Sequence, residues 1–198
     1  MSMMYTSSKQ KGFSLVEVLV ATALFTVVVV VAVSALLVIL DANRKAQNIA
    51  NTINNTFFSF ETMTRLMRTG SNYHCGAGGT LTVPQDCVNG DTQVYFTDDR
   101  GQFVHIWFDT SSATGTIMEE IDSTNKNGTT FDAAYPLTTD DFSVQQLLFT
   151  VSGSQPVSSS DRNQPMTTIV LYGITNKNGR GSSDLKLQST VTQRILDI

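Results

Sequence analysis

From Phe13 to Leu40 nearly every position is apolar, and Val18–Leu40 runs for 23 residues without a charge. Thr22, Thr26 and Ser34 are its only polar members. A hydrocarbon core of ~30 Å needs about 20 helical residues, so this pattern predicts a membrane-spanning helix. A buried helix of a globular core would be interrupted by charge. A removable secretory signal has an apolar region of about 7–15 residues before a small-residue cleavage site. Here Leu36-Leu37-Val38-Ile39-Leu40 continues the run past Val33-Ser34-Ala35. Further on, Ile49, Ile53, Phe57, Phe60 and Met67 recur at helical spacing and predict one face of an amphipathic helix. Neither Gly nor Pro occurs between Phe13 and Thr69, and Gly70 is the first stop signal. One helix of 57 residues is predicted over Phe13–Thr69, roughly 85 Å long at ~1.5 Å per residue.

After Gly70 the period changes. Short runs separated by turn residues predict strands at Thr80–Val83, Gln93–Thr97, Gln102–Phe108, Gly115–Ile121, Phe142–Val151, Thr167–Thr175 and Leu185–Leu196. Asp98-Asp99-Arg100-Gly101 reads as a hairpin turn, and Ser111-Ser112-Ala113-Thr114 as another. Leu185, Leu187, Val191 and Ile195 alternate with polar residues, as in a strand buried on one face. Ile169-Val170-Leu171-Tyr172 is continuous and predicts a strand buried on both. Ser152–Pro165 and Asn176–Ser183 read as polar surface loops. The expectation is α+β: one long N-terminal helix, its first half in the membrane, packed on an antiparallel β-rich head.

Composition changes this picture in two ways. With 198 residues, 41% hydrophobic and 15% charged, the chain suits one domain plus an appendage and excludes a disordered, highly charged tail. Residues 71–198 carry seven basic and fourteen acidic side chains, a net charge of −7. Binding to phosphate backbones needs clustered Lys and Arg, so general nucleic-acid binding is not expected. Lys9 and Lys11 precede the apolar run, and Arg44 and Lys45 follow it, so flanking charge gives little orientation.

The N-terminal segment carries more information. Glu17 lies at the edge of an apolar run, where a carboxylate is costly without a partner. Before it stands Lys9-Gln10-Lys11-Gly12-Phe13-Ser14-Leu15-Val16-Glu17. A short basic leader ending in Gly, then Phe, then Glu five residues after the Gly, resembles the type IV pilin-like family. The resemblance covers residues 9–40. It implies cleavage after Gly12 by a prepilin peptidase on the cytoplasmic side and N-methylation of Phe13. It also implies a pilin-like spine helix, with Phe13 and Glu17 as assembly residues. The implied organisation is a leader over 1–12, a membrane and assembly half over 13–40, an amphipathic half over 41–70 and an extracytoplasmic head over 71–198. Many members have a Pro in the membrane helix, and this chain has none.

With the head outside the cytoplasm, Cys75 and Cys87, separated by eleven residues, are expected to form a disulfide rather than two thiols. Many pilins close their disulfide near the chain's end, whereas this pair lies early. His74, Cys75, Cys87 and His105 could be drawn as a zinc tetrad, but no C-x-x-C or H-x-x-x-H element is present, so no metal site is expected. Asp98 and Asp99 lack a D-x-D-x-D-G ladder and read as a solvated turn rather than a calcium site. No G-x-S-x-G elbow, H-E-x-x-H or Gly-rich phosphate loop occurs. Asp140-Asp141 and Glu119-Glu120 are neighbours, which in strands point to opposite faces and make poor acid/base pairs. Trp107 and Phe108 are expected in the core. No enzyme activity, catalytic residue or cofactor is expected.

The reading is a structural subunit, a minor pilin or pseudopilin of a type IV pilus, type II secretion or competence filament. Leu187–Arg194 is similar to the endings of minor prepilin-like proteins, with the J-type pseudopilin one form. Implied partners are prepilin peptidase, other pilins or pseudopilins, an inner-membrane assembly platform, and membrane lipid before assembly. The implied location is a single-pass inner-membrane protein with an extracytoplasmic C-terminal head, then a periplasmic or cell-surface filament. A membrane-tethered adhesion or binding module that never polymerises, and a tethered enzyme, are the alternatives.

Overall fold

The computed structural model describes residues 12–111, 114–156, 163–175 and 182–194. The basic leader with Lys9 and Lys11, the turn residues Ser112 and Ala113, parts of two predicted loops (157–162 and 176–181) and the strand end at Ile195 and Leu196 lie outside them. Among the described residues, helix α1 (Leu15–Thr69) is followed by nine strands: β1 (Ser71–Cys75), β2 (Cys87–Asp91), β3 (Gln93–Thr97), β4 (Phe103–Asp109), β5 (Thr116–Asp122), β6 (Tyr135–Pro136), β7 (Phe142–Ser152), β8 (Met166–Thr175) and β9 (Ser183–Thr192). This is a pilin-like α+β architecture, a long N-terminal apolar helix followed by antiparallel sheets. The chain divides into two units, Met1–Ala46 and Gln47–Ile198.

In the first unit the apolar side chains from Leu15 to Leu40 are exposed, on a helix long and apolar enough to cross a membrane. Its hydroxyls are satisfied within the helix. Thr22 donates to the Leu19 carbonyl at 3.0 Å, Thr26 to Ala23 at 2.8 Å and Ser34 to Val30 at 2.8 Å. Hydrocarbon offers these groups no other partner, so the back-bonds let polar residues sit in an apolar run.

In the second unit a five-stranded sheet, in the order β1-β3-β4-β5-β6, and a four-stranded sheet, β2-β7-β8-β9, share one core with the rest of α1. Phe60, Met63 and Met67 from the helix meet Phe96, Ile106, Leu147 and Phe149 from the sheets, all at most 8% exposed. The buried helix face differs from the expected one. Thr52, Thr56 and Ser59 are buried with Phe60, Met63 and Met67, whereas Phe57 is 48% exposed. Small residues let the sheet approach closely, and their hydroxyls return to backbone carbonyls: Thr52 to Asn48, Thr56 to Thr52, and Ser59 to Asn55 and Leu137. Hydropathy alone scores these positions as polar and misses the face.

The helix ends where Gly70 must be Gly. Its N–H bonds the Leu66 carbonyl at 2.9 Å, and a Cβ there would stand 2.7 Å from Phe96 Cδ2. The requirement is space, since its φ is not in the left-handed region. The Tyr73 hydroxyl then donates back to the carbonyls of Met67 and Gly70, taking up helix-end acceptors. Arg194 N–H reaches the Arg68 carbonyl at 2.8 Å, so the last described strand returns to the same place.

Several strand expectations hold with shifted ends, and three fail. Thr80–Val83 is a turn, closed by Val83 N–H on the Thr80 carbonyl at 2.8 Å. Pro84 follows directly. Gln85 instead pairs with β1, through Cys75 N–H to its carbonyl and its own N–H to Tyr73. β8 is not buried on both faces; Ile169 and Leu171 are buried while Val170 and Tyr172 are half-buried, because β8 lies in a two-layer packing with one outer face. Trp107 leaves the core. It alternates with Ile106 and Phe108, and stacks on His105 on the outer face of its sheet. β1, β2 and β6 were not expected. β2 reads Cys-Val-Asn-Gly-Asp, turn chemistry by composition, and pairs with β7 through a bulge.

Candidate functional site

The N-terminal site is built by a helix start. Ser14 precedes the first helical residue, and its hydroxyl accepts the Glu17 N–H at 3.2 Å, while its carbonyl accepts Val18 N–H at 3.3 Å. Ser14-Leu15-Val16-Glu17 has the S-x-x-E spacing of a capping box, a signal present in the sequence that hydropathy analysis passed over. The helix therefore begins at Leu15, two residues later than expected. Gly12 and Phe13 lie outside it, exposed, with Phe13 80% accessible. Glu17 falls in the first turn, where unbonded N–H groups favour a carboxylate. Phe13, Glu17, Ala21 and Phe25 border one groove of this helix face, with Glu17 its only charged member among the described residues. A carboxylate thus stands beside an exposed Phe at the head of a lipid-compatible helix.

The other residues singled out from sequence separate in space. Cys75, 1% exposed at the end of β1, is joined to Cys87 at the start of β2, with Cα atoms 5.6 Å apart. Since β1 and β2 belong to different sheets, the bond staples one sheet to the other. His74 and His105 go elsewhere. The ring nitrogens of His74 lie 2.7 Å from the Val83 carbonyl and 2.8 Å from that of Gly78, strapping down the Gly-rich loop after β1. His105 is sandwiched between Tyr95 (centroids 4.0 Å apart) and Trp107 (4.5 Å). Its Nδ1 is 2.8 Å from Glu120 Oε1 and its Nε2 3.2 Å from the Gln93 amide. Burial holds this imidazole below its ordinary pKa, against the opposing pull of Glu120.

Asp98 organises its turn, accepting the N–H groups of Arg100 (2.9 Å) and Gln102 (2.7 Å), with Gly101 at φ 74 supplying the left-handed residue. Glu119 and Glu120 point apart, Glu119 to Tyr135 and Glu120 to His105. Sequence reasoning treated the pair as a unit to discount, and missed that Glu119 is 3% exposed. Only the register that sets Glu119 opposite Ile106 turns it inward.

A family model of the prokaryotic N-terminal methylation motif matches residues 7–33. No curated protein and no solved structure matches the chain. The match falls on the leader, the Gly12–Phe13 junction, the Ser14 cap, Glu17 and the start of the apolar helix. Residues 7–33 are thus a type IV pilin-like prepilin segment, which implies processing by prepilin peptidase, on a chain whose architecture is pilin-like.

Proposed function

We propose that the chain is a minor pilin or pseudopilin, cut between Gly12 and Phe13 and assembled into a filament through the first half of α1. Its final strand, Leu187–Arg194, is similar to the endings of minor prepilin-like proteins, and the J-type pseudopilin of a secretion filament is one such form. The observation that carries the reading is the coincidence of the methylation motif with an exposed apolar helix headed by one carboxylate. Cleavage would place a cationic amine at Phe13, four residues from Glu17. N-methylation keeps that amine basic. The pair can close within one chain or between staggered neighbours, and a carboxylate buried without its cation is strongly unfavourable, which sets the register.

Two measurements test this. Intact mass of membrane protein made with prepilin peptidase should correspond to an N-methylated chain starting at Phe13. An uncut chain or a start at Leu36 would refute the processing site. Glu17→Val should reach the membrane with a folded head and be depleted from sheared filaments at equal membrane abundance. Equal incorporation would remove Glu17 from assembly. Correct cutting without any filament incorporation would support a tethered, non-polymerising module instead.

A further inference from the structure

Beside the last turns of α1 the head has a groove of ≈ 560 Å³. Leu66, Val104, Ile121 and Leu137 give it aliphatic walls, and Glu119 is part of its lining. β5 turns Glu119 inward, and Tyr135 of β6 hydrogen-bonds its carboxyl. A carboxylate has about four lone-pair sites, so one phenol leaves it under-supplied. The ion pair within 4.0 Å among the described residues is His105–Glu120, on the other face of the sheet, so no Lys or Arg nitrogen there meets Glu119. Arg65 and Arg100 border the same groove but are exposed. Burial pushes the Glu119 carboxyl above its ordinary range, and the Tyr135 hydrogen bond offsets this only in part. A buried carboxylate lacking a cation is costly to maintain, and a groove open beside it gives a cation a way in.

We propose that this groove receives a lysine or arginine side chain from a partner polypeptide, with Glu119 binding the charged tip and the aliphatic walls covering the methylene stem. Long cationic side chains combine an apolar body with a charged end, as the groove combines aliphatic walls with a carboxylate. Its volume falls in the ~300–1,000 Å³ range of ligand pockets, room for a side chain and adjoining backbone. Charge favours the same partner. Residues 71–198 carry −7, and the groove's lining sets three carboxylates (Asp98, Asp99 and Glu119) against two guanidiniums (Arg65 and Arg100), a net negative charge that draws a basic segment. The inference does not rest on the filament reading, because it concerns the head of one chain and is tested on that chain alone.

The test uses the full chain in detergent micelles and two capped amino acids of matched size, N-acetyl-lysine methylamide and N-acetyl-norleucine methylamide. Trp107, the single tryptophan, reports thermal unfolding of the head. The lysine compound should raise the midpoint saturably at constant ionic strength, and the norleucine compound should not. Glu119→Gln should weaken the lysine response at least tenfold. Tyr135→Phe, which leaves the carboxylate in place at an exposed position, should keep the preference for lysine. Equal responses to the two compounds would overturn the proposal. So would an undiminished lysine response in Glu119→Gln, or loss of the preference in Tyr135→Phe.

Discussion

Replacing Cys75 and Cys87 together by Ser should destabilise the head by about 3 kcal/mol. The two residues are 12 apart in sequence, so the bond closes a loop of 13 residues. In the chain-entropy relation that loop removes roughly 10 cal/mol/K from the unfolded ensemble, or about 2.9 kcal/mol at 25 °C. Side-chain chemistry adds little, because both sulfurs face the Phe149 carbonyl, an acceptor for a serine hydroxyl. The folded head should therefore keep its near-ultraviolet circular dichroism, since the loss arises in the unfolded chain. A head of this size shifts by ~2–4 °C per kcal/mol, which predicts a midpoint lower by roughly 6–12 °C. Trp107 fluorescence in micelles, with and without reductant for the parent chain, measures it. The double variant and the reduced parent should agree. A fall of less than about 2 °C would refute the reasoning, and would mean that core packing alone holds the sheets together.

Glu119→Gln should stabilise the head at neutral pH, because it retains an acceptor for Tyr135 and removes a buried charge. Its folded carboxyl titrates above the ordinary 4.5, so the wild-type penalty grows as pH rises past that value, and the gain should vanish below it in unfolding measured from pH 4 to 7. His105 has the opposite dependence. Its folded imidazole is held below the ordinary 6.5, so the unfolded chain binds the proton first and stability should fall as pH drops below 6.5, by at most ~1.4 kcal/mol per unit. His105→Gln should flatten that part of the profile, and an unchanged slope would show that another group sets it.

The N-terminal half was legible because its signals are local. Leader charge, Gly12, Phe13, the Glu17 spacing and an uninterrupted apolar run are each read without knowing what they touch. The strands with period-two alternation, such as β9, were found for the same reason. What failed depends on partners distant in the chain. β2 is a strand only because β7 offers it an edge, and Val88 at 77% exposure gives no hydropathy signal. Thr52, Thr56 and Ser59 look like a solvated face until the sheet is laid against them. Glu119 reads like its neighbour Glu120 until the register with Ile106 decides which one is buried. The groove was therefore invisible in the sequence, while the prepilin segment was plain.

The inter-sheet position of the Cys75–Cys87 bond also governs how the head bears load. Once the buried turns of α1 have been drawn from the core, a pull along the helix passes Gly70 and reaches β1 first. Peeling β1 from β3 can release only five residues, about 17 Å of chain, before tension arrives at Cys75. There the covalent bond passes it to β2 and so to β7, in the other sheet. Without the bond, the eleven residues between the cysteines would pay out roughly 37 Å more before β2 resisted. An early disulfide thus limits how much chain the head pays out from β1, and beyond about 17 Å both sheets share the strain.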